Sequence, residues 1–148
     1  AYMVDASLNE ESGIEAATAA SMEDRMNIAL WIIGGLLALA FVSAGMSKLA
    51  RPRLALAGQM PWVQDFSDGQ VKTIGALEVL AAVGLVVPPL LHIATFLVPL
   101  AAVGVVVLMG GAIVTHMRRK EAPMVAVNGV LLVLAAIVAV GRIGLYPF

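Results

Sequence analysis

Four long apolar stretches occupy most of the chain and determine its fold class. They run roughly over residues 28–46, 71–88, 90–115 and 123–140. A helix rises about 1.5 Å per residue, so about 20 apolar residues cross a bilayer core of about 30 Å. Because lipid offers no hydrogen-bond partner to a backbone amide, each stretch is predicted to span as a helix and not as a strand. The sequence therefore predicts an all-α integral membrane protein, a bundle of four transmembrane helices.

Composition supports the membrane class and separates the chain into two parts. Hydrophobic residues make up 61% of the chain and charged residues 13%, more apolar than a soluble domain. Residues 26–148 are predicted to form the membrane domain. Residues 1–25 form an acidic extension, for which we expect a solvated tail or a short surface helix over residues 7–20. The alternative is a docking arm that orders against a partner. The acidic residues are Asp5, Glu10, Glu11, Glu15, Glu23 and Asp24.

The basic residues predict the orientation in the membrane. The first and third loops lie on the same side of a four-helix bundle and hold most of the basic residues, whereas the opposite side has Arg25 and Arg142. The positive-inside rule then places loops one and three in the cytoplasm and both termini outside. We interpret the loop bases as topology signals and not as a site for nucleic acid or a specific anionic lipid. These bases are Lys48, Arg51, Arg53, Lys72, Arg118, Arg119 and Lys120.

The first loop contains a segment with interfacial character. Met60, Pro61 and Trp62 lie in its middle, among further apolar and polar residues. Indole favours the headgroup level of a membrane, and a proline argues against one uninterrupted helix. We predict an interfacial anchor here; the alternative is a lid over a pocket on the cytoplasmic side.

The third apolar stretch is longer than a span requires. Pro99 interrupts it, which predicts either a kink or a separate shallow piece over residues 90–97. Further along, Gly110 and Gly111 are interpreted as packing glycines in the middle of the helix.

Four polar residues are predicted to lie at one level of the bundle, one from each helix. Glu78 is a carboxylate inside a spanning helix, which makes it a candidate functional residue by default. Lys48, His116 and Asn128 fall in the same leaflet and are the donors available to it. Two interpretations remain open: an ion pair with hydrogen bonds that fixes helix register, or a small polar pocket, which could be proton-coupled.

Several chemistries are disfavoured by the residues available. The chain has no cysteine, and its two histidines, His92 and His116, lie at opposite ends of one stretch, so they cannot be the two axial ligands of one haem. It has no HxxxH or CxxC spacing and no Gly-rich nucleotide loop. We expect no metal site and no intrinsic cofactor.

The order and spacing of several short motifs resemble the DoxX-like family of small four-helix bacterial membrane proteins. The resemblance covers about residues 27–142 and leaves the acidic extension outside. Its motifs are AGMSKL at 44–49, MPWV at 60–63, GALEVL at 75–80, Gly84-Leu85, Pro88, PLAA at 99–102, Met109, HMRRKE at 116–121, Asn128 and Gly141-Arg142.

The resemblance implies a multi-pass protein of the bacterial inner membrane. Some relatives are described as parts of quinone-linked membrane redox assemblies, so we expect an accessory or anchoring subunit with membrane or peripheral redox partners, not catalytic alone. The alternative is a stand-alone small-molecule or quinone-binding protein with a pocket around Glu78, or a carrier of a small weak acid. A bound quinone and a homodimer are compatible with both, and no nucleic-acid partner is expected.

Overall fold

The computed structural model describes the backbone of residues 2–148 and the side chains of residues 12–148. Within them, four helices are long and apolar enough to span a membrane, and no strand occurs, so the predicted four-helix membrane bundle is confirmed. A short helix and a 3₁₀ segment lie in the first loop. The elements are α1 (Tyr2–Ala50), α2 (Arg53–Leu56), the 3₁₀ segment (Pro61–Asp65), α3 (Asp68–Leu90), α4 (Leu97–Arg118), α5 (Ala122–Val140) and a π-helical turn (Gly141–Leu145).

Helix α1 is much longer than its apolar stretch. Its 49 residues form one continuous helix of about 74 Å, where the sequence predicted a span over residues 28–46. The side chains of residues 12–26 are all exposed. Hydropathy marks only the part that needs lipid, whereas Ala, Glu and Met favour helix on either side of it. The acidic side chains Asp5, Glu10 and Glu11 lie outside the described residues.

Helix α3 has well-defined signals at both ends. The Ser67 hydroxyl accepts a hydrogen bond from the Gln70 amide, and the Gln70 side chain accepts one from the Ser67 amide, which together form a capping box. Pro88 and Pro89 lie in the last turn, where neither can donate an amide hydrogen bond. The helix ends at Leu90, and His92, at φ 54°, then turns the chain out of the helix while its amide donates to the Pro89 carbonyl.

The third apolar stretch does not form a helix from residue 90. Residues 91–96 make the turn between α3 and α4, with His92 and Ala94 at positive φ (54° and 46°). The predicted start of the third span was therefore seven residues too early. Pro99 lies in the first turn of α4, where its missing amide hydrogen has no intrahelical partner to lose, so no kink is needed.

Two glycines allow a close approach between α1 and α3. A Cβ atom at Gly45 would lie 2.6 Å from the carbonyl oxygen of Gly75, and one at Gly75 would lie 2.8 Å from the Cβ of Lys48. Small residues permit such close helix contacts in membranes. Helix α4 packs on both α3 and α5, which closes the bundle on that side.

Helices α1 and α5 contact each other at the end of the bundle opposite loops one and three. The Arg142 guanidinium, buried at 5% exposure, donates to the Asn27 side chain at 2.7 Å and to the Tyr146 carbonyl at 3.0 Å. Gly141 lies directly against Leu30. This contact clamps the start of the first span to the end of the fourth.

Candidate functional site

A cavity of about 790 Å³ lies at the end of the bundle that carries loops one and three. All four spanning helices and the first loop contribute to its wall. Most of the wall is apolar, including Phe41, Ile74, Leu108, Met109 and Leu131. The four polar residues that the sequence placed at one level, Lys48, Glu78, His116 and Asn128, all line it.

Lys48 and Glu78 form a buried ion pair in the cavity wall. The Lys48 Nζ donates to both carboxylate oxygens of Glu78, at 2.9 and 2.7 Å, and the two side chains are only 5% and 7% exposed. They meet because Gly45 and Gly75, each three positions earlier, bring α1 and α3 together. A buried pair with this geometry satisfies both charges, whereas either one alone would be strongly unfavourable.

His116 is held by a residue that the sequence argument did not select. Its Nδ1 lies 2.6 Å from a carboxylate oxygen of Glu121, and its side chain is 9% exposed. Lys120, at φ 60°, turns the chain back after α4, and the Glu121 amide donates to the His116 carbonyl. Glu121 therefore lies beside His116 because of this tight turn, which hydropathy does not indicate.

Arg119 links the two loops at this end of the bundle. Its guanidinium donates to Glu121 at 2.8 Å and to Asp65, in the first loop, at 2.7 Å. The hydrogen bond from Arg119, followed by the one from His116, holds the pKa of the Glu121 carboxyl below its ordinary value. Glu121 consequently remains an anion beside the histidine at neutral pH.

Asn128 has a different partner from the one predicted. Its side-chain nitrogen donates to the Met124 carbonyl, one turn earlier on α5, at 2.8 Å. Lys48 is the donor that reaches Glu78, while His116 is engaged by Glu121. The four polar residues predicted at one level therefore do not bind one another as a single cluster. They form two separate pairs, Lys48–Glu78 and His116–Glu121, and Asn128 lines the same cavity.

The segment of the first loop that was predicted to be interfacial forms one side of the cavity. Met60, Pro61 and Trp62 all line it. The Trp62 ring packs edge-on against Phe66, and the Lys48 ammonium lies 5.6 Å from its centre. This contact places the segment over the Lys48–Glu78 pair.

The bases of the first loop are used mainly to fix that loop and the end of α1. Arg51 donates to the Gln59 side chain, and Arg53 donates to the Phe66 carbonyl. Lys72 donates to the carbonyls of Lys48, Leu49 and Arg51, which otherwise lack partners at the end of α1. Arg118 and Lys120 are exposed.

Gly110 and Gly111 are not packing glycines. A Cβ atom added at either position would meet nothing within 4 Å. Gly111 instead lines the cavity, where the missing side chain contributes open space. Among the residues whose side chains are described, no group of three His, Cys, Asp or Glu lies close enough to hold a metal ion.

Fold and site together define a four-helix integral membrane protein with a largely apolar cavity that contains two polar pairs at one end. The sequence model of the DoxX-like family matches residues 32–138, which is most of the chain. The chain therefore belongs to the DoxX-like family. No curated protein and no solved structure matches it.

Proposed function

We propose that the protein binds a membrane-soluble small molecule in the cavity. The polar head of the ligand would lie near Lys48, Glu78 and His116, and its apolar part among the aliphatic side chains. The observation that carries the proposal is the composition of the cavity: an apolar wall around a few buried polar groups from different helices. Ligand sites commonly have this composition and volumes of about 300–1,000 Å³.

A quinone is the ligand class that suits this arrangement best. Its carbonyl oxygens accept hydrogen bonds, and the Lys48 ammonium has a third N–H beyond the two that it donates to Glu78. Its flat ring suits the face of Trp62, and its isoprenoid or alkyl chain suits the aliphatic wall. We propose only that the quinone binds in the cavity, and we assign no electron transfer to this chain.

Access from the bilayer supports a lipid-soluble ligand. Val107, Met124 and Val127 line the cavity and are 69%, 45% and 51% exposed. These residues belong to helices long and apolar enough to span a membrane, so we propose that the cavity is open to the bilayer beside them. A ligand dissolved in lipid could enter without crossing the aqueous phase.

Tryptophan fluorescence tests the proposal, because the two tryptophans lie at opposite ends of the bundle. Trp62 lines the cavity, whereas the Trp31 ring packs edge-on against Phe148 near the chain terminus. In a Trp31→Phe variant in nanodiscs, a benzoquinone with a decyl chain should quench Trp62 saturably. The Trp62→Phe variant, which retains Trp31, is the matched control for quinone dissolved in the bilayer.

Glu78→Gln should weaken the saturable quenching of Trp62, since it releases the Lys48 ammonium from its partner and alters the polar end of the cavity. Equal, non-saturating quenching of both tryptophans would show that the quinone partitions into lipid alone, and the proposal would fail.

A second candidate function is an accessory subunit of a membrane redox assembly. The feature that favours it is the helical extension of α1, whose exposed surface carries Glu15, Glu23 and Asp24 beyond the apolar span. An acidic helix standing outside the membrane could dock against a basic protein surface. The excess of basic residues in loops one and three indicates the orientation. We propose that these loops face the cytoplasm of a bacterial cell and that the acidic helical extension lies on the other side of the membrane.

Gentle detergent extraction at native expression level tests this second candidate. Redox proteins that copurify in stoichiometric amount with the wild type, and are lost when residues 12–24 carry neutral Gln and Asn in place of Glu and Asp, would support it. A chain that purifies alone in both forms would contradict it.

A further inference from the structure

Arg142 is a buried cation without an anionic partner. The residue is 5% exposed, and none of the ion pairs among the described residues includes it. Its two hydrogen bonds go to neutral oxygens, those of the Asn27 side chain and the Tyr146 carbonyl. A charge removed from water is strongly unfavourable unless an opposite charge compensates it. This end of the bundle therefore carries a fixed positive charge that no described carboxylate neutralises.

The guanidinium of Arg142 also has N–H groups left for a further acceptor. A guanidinium carries five N–H donors, and both hydrogen bonds to the protein start at Nη1. Nε and Nη2 make no hydrogen bond with the described residues. Since no fully enclosed side-chain nitrogen in that part of the chain lacks a partner, these two atoms reach the surface. Two such N–H groups can bind two oxygens of one phosphate.

An apolar groove between α1 and α3 begins near this charge. Its volume is about 530 Å³, and it is lined by residues between Trp31 and Val42 on α1 and between Ala82 and Val87 on α3. From Trp31 to Val42 the helix rises about 16 Å, about half of a bilayer core of about 30 Å. The groove thus has the length of an acyl chain in one leaflet. None of its lining residues lines the cavity at the other end of the bundle.

Two aromatic rings connect the charge to the groove. The centre of the Phe148 ring lies 3.9 Å from the guanidinium carbon of Arg142. The Trp31 ring packs edge-on against the same Phe148 ring, with 5.8 Å between the ring centres, and Trp31 also lines the groove. Indole favours the headgroup level of a membrane. Arg142 and the start of the groove are therefore neighbours at the end of the bundle opposite loops one and three.

Helix α1 places a carboxylate one turn beyond the guanidinium. Residues four apart are neighbours on a helix surface, and five residues of α1 follow one another at this spacing: Glu23, Asn27, Trp31, Gly35 and Leu39. Glu23 is exposed, Asn27 accepts a hydrogen bond from the guanidinium, and the last three line the groove. Along this ridge the surface changes from anionic, through cationic, to apolar.

We propose that this ridge and groove bind a phospholipid whose head group carries an ammonium group. The phosphate contacts the guanidinium of Arg142, the ammonium lies near Glu23, and one acyl chain lies between α1 and α3. The phosphate compensates the unpaired guanidinium, and a zwitterionic head group matches both charges of the ridge. An anionic head group without an ammonium leaves Glu23 unmatched. The site is separate from the cavity and does not depend on the function proposed for it.

Quenching of Trp31 by brominated lipids tests the site. The Trp62→Phe protein retains Trp31 alone, and in detergent micelles it is titrated with phosphatidylethanolamine that carries dibrominated acyl chains. Quenching should saturate, because bromine quenches an indole that it contacts. Phosphatidylglycerol with the same chains should need about two- to fivefold more lipid for half-saturation, as expected for one exposed charge contact. Glu23→Gln should remove this difference between the two lipids.

Matched variants separate the groove from the rest of the surface. Gly35→Leu fills the groove at a position where a Cβ atom would meet nothing within 4 Å. Gly104→Leu adds the same side chain at an equally open, exposed position of α4 that lines neither the groove nor the cavity. The lipid needed for half-saturation should rise at least tenfold in Gly35→Leu and stay unchanged in Gly104→Leu. Arg142→Gln should raise it as well, and Arg142→Lys, which keeps the charge, should raise it less.

Several outcomes would overturn the proposal. Quenching that never saturates and is unaffected by Gly35→Leu would show contact with bulk lipid only. Displacement of the brominated lipid by millimolar inorganic phosphate would assign Arg142 to a free anion, whereas displacement by unbrominated phosphatidylethanolamine alone is expected. Equal half-saturation by both lipids would contradict the assigned head group. A dimer that Gly35→Leu converts to a monomer in sedimentation, without saturable quenching in the parent protein, would assign the groove to a second copy of the chain.

Discussion

The Lys48 ammonium contacts both oxygens of the Glu78 carboxylate, at 2.9 and 2.7 Å, across the contact between α1 and α3. Gly45 and Gly75 lie three positions earlier on their respective helices, where the two backbones approach each other closely. The glycine contact and the ion pair are thus one structural unit, which holds the first two spans together and forms one wall of the cavity.

Removing one partner of the pair should destabilise the bundle. Lys48→Met or Glu78→Met leaves an unpaired buried charge, so each should lower the free energy of unfolding by about 3–5 kcal/mol. The double variant should recover most of that loss, because it leaves two apolar side chains and no charge. Unfolding in mixed micelles with a denaturing detergent measures all three. Equal stability of the singles and the double would show that the pair does not hold α1 against α3.

The close approach of α1 and α3 can be tested with single methyl groups. Gly45→Ala should lower stability by about 1–3 kcal/mol, since its Cβ would lie 2.6 Å from a backbone carbonyl that cannot move freely. Gly35→Ala is the matched control on the same helix, because its Cβ would meet nothing within 4 Å. This control should be neutral or slightly stabilising. A Gly45→Ala protein as stable as the control would contradict the described helix contact.

The ion network of the third loop predicts a dependence on acid pH. The pKa of Glu121 is lowered in the folded protein, so its stabilisation is present above its unfolded value and is lost as the pH falls through its folded value. Thermal unfolding of the wild type should therefore lose stability as the pH falls below the ordinary pKa range of a glutamate carboxyl toward the lower pKa of Glu121. Glu121→Gln should lose less over the same range. A Gln variant with the same acid sensitivity as the wild type would assign that sensitivity to other carboxylates.

The predicted orientation can be measured directly, because the chain has no native cysteine. Gly58→Cys places a thiol in the exposed first loop, and Ile93→Cys places one in the turn between α3 and α4. A membrane-impermeant maleimide added to intact spheroplasts should label Ile93→Cys, and should label Gly58→Cys only after permeabilisation. The reverse labelling pattern would contradict the orientation that the loop charges predict.

The residues that gather at the cavity could be selected from depth alone. Counting residues from the loops puts Lys48, Glu78 and His116 in one leaflet, and the small residues nearby turn them inward. Hydropathy is sufficient for this step, because lipid enforces both the helical geometry and the inward orientation of charge.

Other features depend on contacts that a periodic pattern does not contain. Glu121 reaches His116 through a left-handed residue in a three-residue turn, and Asp65 reaches Arg119 across 54 positions of sequence. The sequence did not predict the full length of α1, because the exposed part of this helix depends on the helix propensity of its residues and has no hydrophobic periodicity that would mark it. The open space at Gly111 appears only when the surrounding helices are in place.

The central claim, that the cavity is a ligand site, is tested most directly by filling it. In the Trp31→Phe protein, Gly111→Leu would place a side chain into the cavity, whereas Gly110→Leu would add the same side chain one position away, at a residue that does not line the cavity. Quenching of Trp62 by decyl-benzoquinone should be saturable in Gly110→Leu and lost, or weakened at least tenfold (about 1.4 kcal/mol), in Gly111→Leu. Equal saturable quenching in both variants would contradict the claim.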